Sequence, residues 1–121
     1  MKIAVSSTGD NLESDVDMRF GRCRYFMIVD SENMEFNAVS NESVMASGGA
    51  GIKAAETIVN QNVEIVLTGN MGPNAHRTLS AAGIKVFTGA NGTIKEAISK
   101  YKNNELKESG SANVGSHSGM R

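Results

Sequence analysis

The spacing of apolar positions divides this chain into a strand-rich first third and a helix-rich remainder. Lys2–Ser7 alternates Ile3 and Val5 with smaller or polar neighbours, the two-residue period of a strand. Thr8–Asp17 is polar, with turn residues Gly9-Asp10-Asn11 and carboxylates at Asp10, Glu13, Asp15 and Asp17, and reads as an exposed loop. Tyr25-Phe26-Met27-Ile28-Val29 is an unbroken apolar run of strand formers. Asp30–Asn33 supplies a tight turn, after which Met34, Phe36 and Ala38 alternate with polar partners, so the two runs predict a hairpin. Asn41–Gly51 is rich in Ser, Ala and Gly and ends in Ser47-Gly48-Gly49-Ala50-Gly51.

From Ile52 the period lengthens. Ile52, Ala55, Ile58 and Val59 share one face of a helix running to about Asn60. Val63–Leu67 holds three consecutive apolar residues, Ile65, Val66 and Leu67, as in a strand covered on both faces. Thr68-Gly69-Asn70-Met71-Gly72 forms the next turn, and Pro73 suits the first position of a helix. Ala75, Leu79 and Ala82 line that helix, and Gly83 ends it where a left-handed cap is usual. Ile84–Phe87 is a further strand, and Thr93 with Glu96 has the spacing of a capping box ahead of Ile94, Ala97, Ile98 and Tyr101. Residues 103–121 offer almost nothing to bury and predict a flexible tail beyond a single domain of residues 1–102.

A hairpin followed by two helical crossovers implies one mixed sheet. Right-handed crossovers make the later strands parallel to the first, and the expected strand order is 3-2-1-4-5, with three helices on the sheet faces. In such α/β sheets ligands gather at the carboxyl ends of the parallel strands.

Composition narrows the function. The 121 residues carry a net charge of −1, which disfavours general nucleic-acid binding. No run approaches the roughly 18 apolar residues of a membrane span. The strand pattern starting at Lys2 leaves no room for a signal segment, and the one cysteine permits no internal disulfide, so a cytoplasmic protein is expected.

Chemistry concentrates in Met18-Arg19-Phe20-Gly21-Arg22-Cys23-Arg24-Tyr25-Phe26, which holds the only cysteine and three of the five arginines. Neighbouring guanidinium groups would favour a thiolate at Cys23 and form a pocket for an anion. The competing reading of Cys23 is a small buried side chain at the mouth of the second strand. One thiol closes neither a zinc site nor a four-cysteine cluster, but it can anchor a preformed anionic cluster whose charge Arg19, Arg22 and Arg24 neutralise. Those arginines can equally pair with Asp15 or Asp17 in the adjacent loop. His76, near the start of a helix, would supply a nitrogen donor if it faced the same cleft, or else be exposed and locally bonded. His117 and Met120 fall in the tail and define no fixed site.

Gly49-Ala50-Gly51-Ile52-Lys53-Ala54 matches a dinucleotide fingerprint only superficially, since no clear strand precedes it. The Gly69–Asn74 turn is the better anion site, because amides at a helix start would face the ligand. Converging strand carboxylates, a nucleophile elbow and a phosphate-cradling Gly-Lys-Ser/Thr loop are all missing, so catalysis is not expected.

Arg19–Phe26 feeding a strand, Gly48–Gly51 opening a helix, Thr68–Ala75 after the next strand and Ala82–Phe87 together resemble the dinitrogenase iron–molybdenum cofactor biosynthesis family, over about residues 1–102. The resemblance implies a small ribonuclease-H-like α/β domain that binds or carries an iron–sulfur or iron–molybdenum-type cofactor or its precursor. The site would comprise Arg19, Phe20, Gly21, Arg22, Cys23, Arg24, Gly69, Asn70, Gly72 and Asn74, with Cys23 and His76 as metal ligands. A cluster donor or acceptor protein is the implied partner, and the chain would be a monomer or weak homodimer. Nitrogenase-linked members carry a histidine where this chain has Arg19, and commonly an aromatic residue where it has His76. In this the chain is similar to the stand-alone archaeal and bacterial members. The alternatives are a metal-free interaction or regulatory module using the hairpin edge, or a binder of phosphorylated metabolites at the Gly69 turn.

Overall fold

The computed structural model of the protein describes residues 1–42 and 48–110. Its elements run β1 (Lys2–Ser7), β2 (Tyr25–Asp30), β3 (Phe36–Ser40), α1 (Ala50–Val59), β4 (Ile65–Leu67), α2 (Pro73–Ala81), β5 (Lys85–Phe87) and α3 (Ile94–Lys102). The five strands form one sheet in the order β3-β2-β1-β4-β5, as the crossover argument requires. β2 is antiparallel to both β1 and β3, whereas β4 runs parallel to β1 and β5. No helix among the described residues is long and apolar enough to cross a membrane.

Alternation along the strands sorts the core into two layers. Ala4, Phe26, Ile28 and Val66 face α1 and α2, where they meet Ala54, Ala55, Ile58, Ala75 and Leu79. Ile3, Val5, Met27, Val29, Ile65 and Leu67 face the other way and meet Ile94, Ala97 and Ile98 of α3. β1 and β4 are therefore covered on both sides, which is why Ile65-Val66-Leu67 shows no polar alternation. The capping box of α3 is present: Glu96 N–H donates to Thr93 Oγ1 at 3.1 Å and Thr93 N–H to Glu96 Oε1 at 2.8 Å.

Four local expectations shift. α1 starts two residues early, at Ala50, and its buried stripe runs through Ala50, Ala54, Ala55 and Ile58, leaving Ile52 38% exposed. Ala82 lies outside α2 as its exposed C-cap. In β3, Val39 packs on the core while Phe36 stays 42% exposed, the reverse of the expected phase. Residues 103–110, compositionally tail-like, dock on the edge of β5. Ser109 N–H donates to Val86 O at 2.7 Å, Glu108 bridges Phe87, and Leu106 packs on the α3-side core. Backbone pairing needs no apolar side chain, so composition does not announce it. His117 and Met120 lie outside the described residues.

Candidate functional site

The carboxyl ends of β1 and β4 open onto a rim where several loops meet. Ser6 and Thr68, fully buried at those ends, share a hydrogen bond of 2.7 Å, and Ser6 Oγ also donates to Asp17 O at 2.7 Å. This fastens the loop after β1 to the sheet. Asn70 N–H then donates to Met18 O at 2.8 Å and Phe20 N–H to Asn70 O at 3.2 Å, so Arg19 and Asn70 lie side by side as a parallel bridge. The approach is close enough to demand glycine: a Cβ on Gly69 would sit 2.7 Å from Met18 Cα. On the other flank a Cβ on Gly21 would lie 3.2 Å from Gly51 Cα. The segment Met18–Gly21 is thereby wedged between the turn leading to α2 and the first turn of α1.

Both helices start at this rim with no side-chain hydrogen bond capping them. Gly49 takes a left-handed conformation (φ 69°) ahead of α1, and Gly72 precedes Pro73 in α2. Helix-start amides lack intrahelical acceptors, and the helix dipole adds partial positive charge there. Neither first turn carries an acidic residue. Gly69 is buried, Asn70 and Gly72 half-buried and Asn74 exposed, so this turn grades from the sheet out to solvent.

The Arg19–Arg24 loop divides by direction. Phe20 and Cys23 point inward; Phe20 is 2% exposed with its ring 5.1 Å from that of Phe26. Arg19 and Arg24 are exposed and Arg22 half-buried. The alternative pairing with loop carboxylates is realised for Arg19: its backbone N–H donates to Asp17 Oδ1 at 2.9 Å, and its Nε lies 3.5 Å from the same oxygen. That ion pair leaves the Arg19 side chain 69% exposed, so its charge still addresses solvent. Arg24 stands 5.8 Å over the Tyr25 ring.

Cys23 corrects the thiolate expectation. Its side chain has no exposure, and its thiol donates to Phe20 O at 3.3 Å. Burial pushes the thiol up to about 12, because removing water penalises the charged form more than the surrounding hydrogen bonds help it. No guanidinium next to it in sequence lowers it, and Arg19 and Arg24 are exposed while the sulfur is buried. Cys23 is an inward anchor rather than an accessible ligand. His76 is also taken elsewhere: its Nε2 lies 3.1 Å from Ser109 O and its Nδ1 3.4 Å from Ser80 Oγ, near the β5 edge. The structure therefore does not assemble the expected Cys23–His76 pair. Among the described residues no three His, Cys, Asp or Glu side chains converge to hold a metal ion.

One residue that the sequence did not single out organises the loop. Asn41, 1% exposed, donates through Nδ2 to Cys23 O at 2.8 Å and Gly21 O at 3.3 Å, while its backbone N–H donates to Arg24 O at 3.0 Å. An asparagine next to a Ser/Ala/Gly-rich stretch looks like a turn residue. Its partners lie about twenty residues away, beyond the reach of local pattern.

The architecture and the rim define a small α/β domain with a cationic loop set beside glycine-led helix starts. A family model described as dinitrogenase iron-molybdenum cofactor matches residues 1–104. The chain belongs to this family. Among solved structures it is similar to the apo form of the orange protein from Desulfovibrio gigas, with 36% identity, a TM-score of 0.90, and coverage of 93% of this chain and 95% of the other. A candidate NifB protein from Thermotoga is 37% identical with a TM-score of 0.77, covering 88% and 91% of the two chains. An uncharacterized Methanocaldococcus jannaschii protein is 31% identical over 111 residues, 89% of this chain and 91% of its own.

Proposed function

We propose that this chain is a small, non-catalytic carrier domain for an anionic iron–sulfur or iron–molybdenum-type cluster, taken up as cargo and passed between cofactor-handling proteins. The observation that carries the reading is the Arg19–Asn70 junction, which sets the arginine loop against the turn leading into α2. The donor set argues against coordinate bonds, because Cys23 is buried and protonated and His76 is engaged. It favours non-covalent capture. Arg19, Arg22 and Arg24 supply positive charge, and Gly72 and Asn74 supply amide donors toward the cargo's anionic sulfur or oxygen atoms. Membership of the cofactor family and likeness to a protein solved in an apo form support a binding role. The strand order and the antiparallel β2 support the ribonuclease-H-like label for the scaffold.

Anaerobic titration with a synthetic anionic iron–sulfur cluster, followed by visible absorption, tests this reading. Uptake should survive Cys23→Ala and be lost in the combined Arg19→Ala, Arg22→Ala, Arg24→Ala variant. Equal uptake by the arginine variant would overturn it.

A further inference from the structure

The two edges of the sheet are finished differently. β5 is closed by the chain itself: Ser109 N–H bonds Val86 O at 2.7 Å and Glu108 bridges Phe87, with His76 Nε2 3.1 Å from Ser109 O. On β3, no described residue pairs with the outer edge. The hydrogen bonds that flank its ladder, Asp30 N–H to Glu35 O and Asn41 N–H to Arg24 O, fix the phase. Antiparallel pairs alternate between hydrogen-bonded and open, so Glu35, Asn37, Val39 and Asn41 turn their backbone groups to β2. Phe36, Ala38 and Ser40 therefore turn N–H and C=O outward.

Natural edges are usually blunted by charge, proline or a bulge. Phe36–Ser40 contains no charged residue and no proline, and its pairing with β2 runs without interruption. Phe36 adds a 42% exposed ring beside it.

We propose that this edge pairs with a second copy of the chain, β3 against β3, antiparallel about a two-fold axis at Ala38. This register brings Phe36, Ala38 and Ser40 opposite Ser40, Ala38 and Phe36 of the second copy, matching every outward backbone group. A shift by two residues in either direction loses one of these pairs. The small Ala38 side chains at the axis leave room for each Phe36 ring to lie diagonally over its counterpart's Ala38. The acidic residues that end the strand stay apart, since Glu35 falls opposite Asn41 of the other copy. A net charge of −1 sets almost no repulsion against the approach of identical molecules. So short a ladder buries less than the about 1,200 Å² of a standard stable interface, and the dimer is weak and concentration-dependent. Antiparallel pairing points the two rims to opposite ends of the joined sheet. Cluster uptake and dimerisation are thereby independent.

Sedimentation equilibrium on the full chain, from micromolar to millimolar, provides the test. The average mass should climb from one chain toward two. Ala38→Lys sets like charges face to face at the axis and should weaken the dimer about fivefold or more. Mixing Ala38→Lys with Ala38→Glu should restore association. Circular dichroism and melting of each variant confirm folding at this exposed position. A wild-type chain that stays monomeric into the millimolar range, a dimer constant unchanged by Ala38→Lys, or a mixture that fails to recover association would each overturn the proposal.

Discussion

Within one short loop, neighbouring residues belong to opposite parts of the molecule. Phe20 and Cys23 are buried in the core beneath α1, while Arg19 and Arg24 project into solvent and Arg22 lies between. The inward side chains determine where the loop sits; the outward ones determine what it attracts. Charge adjacent to a cysteine in sequence is therefore no guide to the ionisation of its thiol. A residue or two of backbone can separate the groups by the thickness of the protein surface.

The largest expected effect lies on the inward side. Phe20→Ala removes a buried ring that packs on Phe26, and should cost about 3–5 kcal/mol in urea unfolding. A loss under about 1 kcal/mol would mean that the loop is not anchored from within. Cys23 should reveal its position through pH. The unfolded thiol loses its proton near its ordinary value of 9.0, whereas the folded thiol keeps it to about 12. In that window the folded chain binds more protons than the unfolded one, so stability falls as pH rises, by about 1.4 kcal/mol per unit. Moving from about pH 9 to about pH 10.5 should lower wild-type stability relative to Cys23→Ala by roughly 1–2 kcal/mol. Parallel curves for the two proteins would return Cys23 to the solvent side.

Asn41→Ala follows in size. It leaves the carbonyls of Gly21 and Cys23 without their amide donor and should cost about 1–3 kcal/mol. Faster hydrogen exchange at the Arg22–Arg24 amides would locate that cost in the loop, whereas unchanged exchange there would remove Asn41 from its role as clamp.

These same residues show where local pattern succeeds and where it stops. The doubly covered Ile65–Leu67 and the Thr93–Glu96 cap were legible because each rests on spacing within a few residues, and strand order because the handedness of helical crossovers leaves few arrangements. The turn after β4 was legible from its glycines, and the arginine loop from its place directly ahead of β2. Side-chain direction within the loop was not, since irregular backbone has no period from which to read it. Asn41 was missed because its partners are distant in sequence. The stripe of α1 was misphased because Ala54, small enough to lie flat against the sheet, takes the buried place that hydropathy assigns to Ile52. Residues 103–110 carry no compositional signal because an edge-pairing segment is recruited by backbone groups.

The smallest effect on stability should come from the outward side, and there it is most informative. Replacing Arg19 and Arg24 together by alanine removes one long ion pair at 3.5 Å and a guanidinium 5.8 Å from an aromatic ring, both next to solvent. Such contacts contribute little, so the unfolding free energy should move by no more than about 1 kcal/mol. Affinity for an anionic cluster should fall at least about tenfold, because these two exposed guanidinium groups act on the ligand and not on the scaffold. If stability instead drops as far as in Asn41→Ala, the arginines are part of what holds the loop. The division between the two sides would then fail together with the carrier reading built on it.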